Sequence, residues 1–494
     1  MKEYKLFIDG KWTNSSSNET FLSLDPSNKK PIGKFQKGNE KDVEKAVQSA
    51  EKSLEEWKNL PAPKRGEILL EISYLLKKNK QRLAELVTIE MGKVIKEGKG
   101  DVQEAIDTFE YFAGEGRRLF GRTTPSELRN KFCMSIKIPI GIVGLITPWN
   151  FPTAIPAWKL APALICGNTV IFKPASDTPL CAIELIKILE EAGIPNGVVN
   201  LITGPADKVG TTIIKHPKIR AISFTGSRET GKFVLQNAGI KKVGLELGGK
   251  NAIIIMDDAD LDLALEGVIW GGFGTTGQRC TAASRVIIHE KVKKQFEKKF
   301  LERTSKLKLG SGLDSKTDIG PLINENALKK VHFYTEIGKK EKAKLLIGGN
   351  LGSSKGYFYQ PTIFTDVTPN MRIAQEEIFG PTVCLISVKN LNEAIKVCNS
   401  VSYGLSSSIY TKNISNAFNA IKDIETGITY INSSTIGAEV HLPFGGVKET
   451  GNGTKEAGWT GIEEFSEEKT IYVDYSGKLQ KAQIDSIEIR RLKK

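Results

Sequence analysis

The chain has 494 residues, of which 40% are hydrophobic and 26% are charged. This composition is typical of a globular protein, and the length predicts roughly two to four domains. Its longest apolar runs, such as residues 142–146 and 252–256, are too short to span a bilayer, and the N-terminus lacks the apolar core of a signal peptide. The formal net charge of +13 raises the question of nucleic-acid binding, but lysines interleave with glutamates and only residues 490–494 form a compact basic cluster. We therefore expect a solvated basic surface that favours anionic ligands, with no nucleic-acid and no membrane partner.

The six cysteines show no paired spacing, which predicts a reducing compartment, the cytoplasm, rather than a disulfide scaffold. The four histidines are scattered, and neither Cys-x-x-Cys nor His-x-x-x-His occurs, so we expect no metal site.

The first predicted elements are amphipathic helices. Apolar residues recur at helical spacing over residues 41–57, with Asn39 as the cap and Asp42 three residues on. The same pattern repeats over residues 65–88, and we expect both segments to pack one face on a core.

From residue 141 the pattern changes to short apolar runs that alternate with helical stretches such as residues 180–192. The runs are residues 142–147, 169–172, 198–202 and 221–224. A second region of this kind extends from about residue 249 to 450, with strand candidates at 252–256, 284–288 and 383–387. Such alternation predicts an α/β fold with parallel sheets covered on both faces, in which ligands bind beyond the carboxyl ends of the strands.

Residues 123–139 and 469–475 differ from the rest because their pattern is β-rich or alternating. They are interpreted either as a hairpin and edge strand that join subunits or as simple surface strands.

Cys280 and Glu246 are the candidates for catalysis. Cys280 lies among small or polar neighbours. The other cysteines lie near apolar residues, as is typical of buried structural thiols. Arg279, beside Cys280, either lowers the pKa of the thiol or faces solvent. Glu246 precedes a Gly-Gly turn. A cysteine and a carboxylate on two glycine-bounded turns indicate covalent acyl chemistry with an activated water, with a buried structural cysteine as the alternative.

Polar residues at other strand ends have two interpretations each. Asn150 is either an oxyanion donor acting with the Cys280 backbone N–H or a turn residue beside proline. Lys173 either contacts a ribose or phosphate or extends into solvent. The segment from Thr225 to Gly231 is either a phosphate site at a helix N-terminus or an ordinary helix start. Glu377, with Phe379, either binds a ribose beside a flat ring or forms an exposed loop.

Together these segments resemble the NAD(P)-dependent aldehyde dehydrogenase superfamily over nearly the whole chain, from residue 4 to residue 473. The matching motifs occur in order: Pro148-Trp149-Asn150-Phe151-Pro152, Lys173-Pro174, Phe224-Thr225-Gly226-Ser227, Leu245-Glu246-Leu247-Gly248-Gly249-Lys250, Gly277-Gln278-Arg279-Cys280, Glu377-Ile378-Phe379-Gly380-Pro381 and Pro443-Phe444-Gly445-Gly446.

The resemblance implies a fold of two Rossmann-type parallel-sheet domains with a small β oligomerisation arm. The cofactor-binding domain would comprise residues 1–122 and 140–248, and the catalytic domain residues 249–449. Residues 123–139 and 469–494 would form the arm and a C-terminal tail, and the chain would be a homodimer or homotetramer.

The resemblance also implies site residues. Cys280 would be the nucleophile, Glu246 the general base, Asn150 the oxyanion donor and Glu456 a second carboxylate in proton relay. The implied cofactor contacts are Trp149, Lys173, Ser176, Gly226, Ser227, Gly248, Glu377 and Phe379. The implied substrate contacts at the aldehyde tunnel are Phe151, Trp158, Phe444 and, in the loop before it, His441.

The implied reaction is oxidation of an aldehyde to a carboxylic acid with NAD(P)⁺ through a thioester on the cysteine. Ser176 stands where many NAD-preferring members carry glutamate, so we expect NADP to be favoured or both cofactors to be used. The basic charge favours a semialdehyde with a distal carboxylate, such as 2-oxoglutarate or succinate semialdehyde. Two alternatives are a dehydrogenase that passes the acyl group to coenzyme A and a non-enzymatic binding protein of the same fold.

Overall fold

The computed structural model describes residues 1–485; the basic cluster predicted at residues 490–494 and the end of the predicted tail, residues 486–494, lie outside the described residues. The strands of the described part are β1 (Glu3–Tyr4), β2 (Leu6–Ile8), β3 (Lys11–Thr13), β4 (Thr20–Leu24), β5 (Pro31–Gln36), β6 (Thr123–Thr124), β7 (Lys131–Pro139), β8 (Ile142–Ile146), β9 (Thr169–Lys173), β10 (Val199–Leu201), β11 (Ile219–Thr225), β12 (Lys242–Glu246), β13 (Asn251–Ile255), β14 (Ala283–His289), β15 (Lys344–Ile347), β16 (Thr362–Thr365), β17 (Thr382–Val388), β18 (Tyr403–Gly404), β19 (Ser406–Tyr410), β20 (Ile428–Ile431), β21 (Val447–Lys448) and β22 (Ser466–Asp474).

The helices of the same residues are α1 (Glu40–Asn59), α2 (Ala62–Lys78), α3 (Lys80–Met91), α4 (Ile95–Glu115), α5 (Ala154–Ile165), α6 (Pro179–Glu191), α7 (Thr211–Lys215), α8 (Arg228–Asn237), α9 (Leu261–Phe273), α10 (Glu290–Thr304), α11 (Glu325–Lys340), α12 (Arg372–Gln375), α13 (Leu391–Asn399), α14 (Ile414–Asp423) and α15 (Gly458–Glu464). The described residues also form a π-helical turn at Ala206–Gly210 and a 3-10 turn at Gly274–Gly277. No helix within residues 1–485 is long and apolar enough to cross a membrane.

The first large sheet has seven strands in the order β12-β11-β8-β9-β10-β2-β3, and its five strands from β8 to β12 run parallel. Alternate residues of β8 face two different cores: Ile142 and Ile146 pack with α1, whereas Val143 and Leu145 pack with α5 and α6. Both faces of the sheet are therefore covered, which is why its central strands are continuous apolar runs.

The second large sheet also has seven strands, in the order β15-β16-β17-β14-β13-β19-β20, and only its edge strand β15 is antiparallel. Neighbouring residues of β13 again alternate between two cores, with Ile254 in one and Ile253 and Ile255 in the other. The prediction of an α/β fold with two parallel-sheet domains is confirmed. The exact domain boundaries stay a prediction.

A small third sheet contains the two segments with a β-rich or alternating pattern, residues 123–139 and 469–475. Strand β22 pairs antiparallel with β7 from Ser466 opposite Pro139 to Asp474 opposite Lys131, and β6 lies on the other side of β7. It leaves apolar side chains exposed: Phe132, Ile136 and Val473 lie on one face of the sheet, and Tyr472 lies on the other.

The helices differ from the sequence pattern in two places. Residues 65–88 form parts of two helices, α2 and α3, because Asn79 between them turns its side chain back to donate to the Leu75 carbonyl oxygen at 2.9 Å. Residues 450–468, left outside the predicted domains, include α15, whose Ile462 packs with Phe465 in a core of the first sheet. The first helix agrees with its prediction, since Asn39 and Asp42 form a reciprocal cap at its start.

Candidate active site

The site lies where the carboxyl ends of the first sheet face the second sheet. Asn150 follows β8, Lys173 ends β9, Thr225 ends β11 and Glu246 ends β12. Cys280 lies between the 3-10 turn at Gly274–Gly277 and strand β14 of the second sheet. Parallel strands thus bring together residues that are far apart in the sequence.

Cys280 lies between two cavities. The first, the aromatic cavity, has a volume of about 320 Å³ and is lined by Phe151, Trp158, Trp270 and Phe444 among others. The second, the strand-end cavity, has a volume of about 220 Å³ and is lined by Trp149, Gly226, Ser227, Gly248, Glu377 and Phe379 among others. The residues common to both are Ile155, Thr225, Leu247 and Cys280. A molecule in either cavity can therefore reach the same thiol.

A strained turn presents Cys280 to the cavities. Thr275, Thr276 and Gly277 all have positive φ, 51°, 59° and 68°, and a side chain at Gly277 would lie 2.2 Å from the Gly380 carbonyl oxygen. Beyond the turn, Asn251 donates from Nδ2 to the Cys280 carbonyl oxygen at 2.7 Å. The backbone that carries the thiol is therefore held from both sides.

The surroundings of Cys280 favour the protonated thiol. Burial, followed by the charges of Glu246 and Glu377, raises the pKa of Cys280 to about 12. Arg279 does not face solvent, contrary to one interpretation of the sequence, because its side chain is only 10% exposed. Its Nη2 pairs with Glu97 Oε1 at 3.4 Å, and its guanidinium lies 4.8 Å from the Trp270 ring in the aromatic cavity.

Asn150 lies beside the thiol in the strand-end cavity and is 3% exposed. Its Nδ2 donates to the Gln278 carbonyl oxygen at 3.1 Å. This hydrogen bond holds the amide against the turn that carries Cys280, where an amide N–H can approach an oxygen bonded to a carbon on the sulfur.

Glu246 lines the aromatic cavity with Cys280, and neither of its buried carboxyl oxygens has a hydrogen-bond partner. Burial, followed by the charge of Glu456, raises the pKa of Glu246 well above its ordinary value, while Lys159 and Lys455 oppose that rise. A buried carboxyl group with a raised pKa is suited to accept a proton near neutral pH.

Glu456 also lines the aromatic cavity, and it pairs with the fully buried ammonium of Lys159. Lys159 donates in turn to Ser223 Oγ at 2.7 Å. Nearby, burial raises the pKa of Glu464 to about 7. Sequence reasoning missed Lys159 and Glu464; the signal for Lys159 was a single charge inside the apolar helix α5.

Three of the four predicted substrate residues line the aromatic cavity. The rings of Trp158 and Phe444 meet edge to face at 4.8 Å, and Phe151 lies under the ammonium of Lys93 at 3.6 Å. His441 differs from the prediction: its side chain is 54% exposed and lies 3.4 Å from Glu439, outside the residues that line the cavity. The loop before Phe444 turns this imidazole to the surface.

The predicted cofactor residues around the strand-end cavity form a close-fitting cradle. Glu377 is half-buried, accepts from the Gly249 N–H at 2.9 Å and has a pKa raised by desolvation. A side chain at Gly248 would lie 2.5 Å from the Glu377 carboxyl oxygens. The Trp149 and Phe379 rings meet edge to face at 5.5 Å. Ser227 caps helix α8, accepting from the Thr230 N–H at 3.2 Å.

Lys173 and Ser176 lie farther along the sheet edge. Lys173 lines a third cavity of about 540 Å³ with Glu229 and Thr230, and burial lowers its pKa to about 8. Its Nζ donates to the Pro174 carbonyl oxygen at 3.1 Å, and Ser176 Oγ donates to the Gly204 carbonyl oxygen at 3.1 Å.

These residues fit a nicotinamide dinucleotide. The buried Thr225 hydroxyl has no hydrogen-bond partner and borders both cavities, so a carboxamide can satisfy it. Gly226 and Gly248 admit no side chain, because a Cβ would lie 2.5 Å from the Phe224 ring or from the Glu377 carboxyl oxygens, and the N-terminus of α8 favours a pyrophosphate. A thiol placed between such a cradle and an aromatic cavity defines a cysteine-dependent oxidoreductase.

Comparison with known proteins gives the family. Residues 12–471 match the model described as Aldehyde dehydrogenase family. The chain is 41% identical over 477 residues to alpha-ketoglutaric semialdehyde dehydrogenase of Bacillus subtilis (strain 168), covering 95% of this chain and 98% of that protein. It is 42% identical over 485 residues to retinaldehyde dehydrogenase 3 of Mus musculus, covering 97% of this chain and 94% of that protein. The crystal structure of Staphylococcus aureus betaine aldehyde dehydrogenase in complex with NAD⁺ matches with a TM-score of 0.94 at 34% identity, covering 96% of each chain.

The chain belongs to the aldehyde dehydrogenase family. It is an NAD(P)-dependent enzyme that oxidises an aldehyde to a carboxylic acid through a cysteine thioester, which confirms the predicted reaction class.

Proposed function

We propose that Cys280 is the nucleophile, Glu246 the general base and Asn150 the oxyanion donor of this reaction. The Cys280 thiol loses its proton to solvent as its sulfur attacks the aldehyde carbon, and the Asn150 amide with the Cys280 backbone N–H stabilises the oxygen anion that forms. A nicotinamide held by Glu377 and Phe379 would supply the acceptor for the hydride that this carbon loses, and Cys280 would then carry a thioester. The position of Cys280 between the two cavities carries the proposal.

Glu246 acts in the second half of the reaction. It takes a proton from water as the water oxygen attacks the thioester carbon, the carbon–sulfur bond breaks, and the carboxylic acid leaves Cys280 as the thiolate. Glu456 and Lys159, which pair beside Glu246, then pass the proton toward solvent.

The cofactor contacts are proposed from the cradle and the third cavity. Glu377 and Phe379 hold the nicotinamide ribose, while Lys173 and Ser176 face the adenosine ribose. The remaining proposed contacts are Trp149, Gly226, Ser227 and Gly248.

The six cysteines are all free, which suits a reducing compartment such as the cytoplasm.

For the substrate we infer a semialdehyde with a distal carboxylate, of the 2-oxoglutarate semialdehyde type. Lys96 and Arg279 line the aromatic cavity; Lys96 offers its ammonium to the carboxylate, and Arg279 offers the part of its guanidinium that Glu97 leaves free. Lys93, behind Phe151, is already paired with Asp101 at 2.9 Å. Glu104 in the same cavity opposes an anion less than an ordinary glutamate does, because burial raises the pKa of Glu104 to about 7. The Bacillus subtilis relative is named for this substrate.

Arg279→Met should lower kcat/KM for 2-oxoglutarate semialdehyde and succinate semialdehyde by roughly tenfold to a hundredfold, the loss of one charge-assisted contact. For pentanal, which has no carboxylate, kcat/KM should change little, and Arg279→Lys should keep part of the preference. The control is Arg303→Met, which removes a guanidinium paired with Glu266 on the surface. Equal losses for charged and neutral aldehydes would show that Arg279 only supports the turn before Cys280.

For the cofactor we infer use of NADP⁺ at least as good as use of NAD⁺. Serine at position 176 places no negative charge beside a 2′-phosphate, and the Lys173 ammonium can pair with it. Ser176→Glu should shift the ratio of kcat/KM toward NAD⁺ by about tenfold or more.

Since the pKa of Lys173 is lowered to about 8, the lysine loses its proton as the pH rises through that value. The KM for NADP⁺ should therefore rise above that pH while the KM for NAD⁺ stays nearly constant, and a native preference for NAD⁺ that Ser176→Glu leaves unchanged would contradict the inference.

We also infer that the chain forms a homodimer or homotetramer through β7 and β22, because this sheet leaves Phe132, Ile136, Tyr472 and Val473 exposed. Light scattering at micromolar concentration should give a multiple of the chain mass. Ile136→Asp with Tyr472→Asp should reduce that mass, whereas Tyr74→Asp, at an equally exposed tyrosine of α2, should not. A monomeric wild-type chain would refute the inference.

A further inference from the structure

Two lysines approach the carboxyl group of Glu246, and their charges are used differently. The Lys159 ammonium is paired with Glu456 and bonded to Ser223. The Lys455 ammonium donates to the Gly446 carbonyl oxygen and makes no ion pair with any residue of the described chain. Only the charge of Lys455 is therefore left uncompensated by a direct carboxylate partner.

A glycine brings Lys455 and Glu246 close together. Gly445 has φ +145°, and a side chain built there would lie 2.3 Å from Glu246 Oε1 and 2.8 Å from Lys455 Cδ. Because glycine has no Cβ, Gly445 leaves room for both the Glu246 carboxyl group and the Lys455 side chain. Lys455 is half-buried, so its charge is less screened than that of a surface lysine.

Several groups around Glu246 influence its ionisation. The titratable groups that face Glu246 are Cys280 across the aromatic cavity, Glu456 and Lys455 before α15, Glu464 at its end and Lys159 on α5. Burial and Glu456 both favour the protonated form of Glu246, and Lys159 is already occupied by Glu456. Burial lowers the pKa of Lys455, whereas the charge of Glu246 raises it.

We propose that Lys455 is a positioning residue that keeps Glu246 ionised and close to the thioester on Cys280 during deacylation. The inference rests on the proposed role of Glu246 as general base. Lys455 gives up no proton; its charge stabilises the carboxylate before the water loses a proton, and it favours release of that proton from Glu246 afterwards.

The test isolates deacylation from the cofactor and from the natural aldehyde. The full-length protein is acetylated at Cys280 with 4-nitrophenyl acetate and desalted, and loss of the acetyl group is followed by mass spectrometry from weakly acidic to alkaline pH. The variants are Lys455→Met, which keeps the length of the side chain, and Lys455→Arg, which keeps the charge. The control is Lys448→Met, because Lys448 pairs with Glu425 instead.

In Lys455→Met the midpoint of the rise in deacylation with pH should move up by about one pH unit, an approximately tenfold slower reaction below the midpoint. Lys455→Arg and Lys448→Met should keep the wild-type midpoint. An unchanged midpoint in Lys455→Met, or an equal loss of rate at every pH, would overturn the inference. Failure of wild-type Cys280 to acetylate, or unaltered deacylation in Glu246→Gln, would instead contradict the proposed function, so the two failures can be distinguished.

Discussion

Cys280→Ala should lower the rate of aldehyde oxidation by about four orders of magnitude or more, because no other group between the two cavities can form the thioester. The substitution removes one sulfur atom from a side chain that borders two cavities, so the free energy of unfolding should fall by no more than about 1 kcal/mol. The measurements are reduced cofactor formed from aldehyde, cofactor binding by fluorescence quenching and thermal unfolding.

The controls are the structural cysteines. Cys384 is fully buried in β17, and its Sγ donates to the Ile373 carbonyl oxygen at 3.4 Å, so Cys384→Ala should cost stability and leave turnover nearly intact. Cys133→Ala in β7 should also keep turnover. Substantial oxidation by Cys280→Ala would exclude the thioester mechanism at this residue.

Glu246→Gln should produce a burst of reduced cofactor followed by turnover about 100-fold to 10,000-fold slower than in the wild type. Glutamine keeps the shape of the side chain but cannot take a proton from water, so the acyl group stays on Cys280 and should be visible by mass spectrometry. In the wild type, deacylation should rise with pH as Glu246, whose pKa is raised, loses its proton; in the variant this rise should disappear.

Coenzyme A tests the remaining alternative in the same experiment. If water is the acceptor, coenzyme A should neither speed the wild-type turnover nor rescue Glu246→Gln. Loss of the burst itself, with the thiol still reactive, would place Glu246 in the first half of the reaction.

The residues that sequence reasoning located share one property: they follow predicted strands. Asn150, Lys173, Thr225 and Glu246 stand at strand ends, and parallel strands bring their carboxyl ends to one edge, so the candidate site could be assembled from the order of motifs alone. The fold class followed from the same alternation of apolar runs and helices.

The remaining residues depend on contacts between distant segments. The direction of the Arg279 side chain is set by Glu97 of α4, and the environment of Lys159 by Glu456, nearly three hundred residues later. His441 turns outward in a loop that has no periodic pattern to read. Side-chain direction in such segments follows from tertiary packing, which local spacing does not encode.

The position of the last elements has a consequence for synthesis. Strand β20 completes the second sheet at Ile431, but a core of the first sheet still lacks Ile462 and Phe465, and Lys159 still lacks Glu456. A chain emerging from the ribosome can therefore form its second sheet while the buried lysine has no counter-charge. The base and its proton path come together only when the residues around α15 have been made, so a truncated product should carry Cys280 and Glu246 without the Glu456–Lys159 pair that passes the proton on.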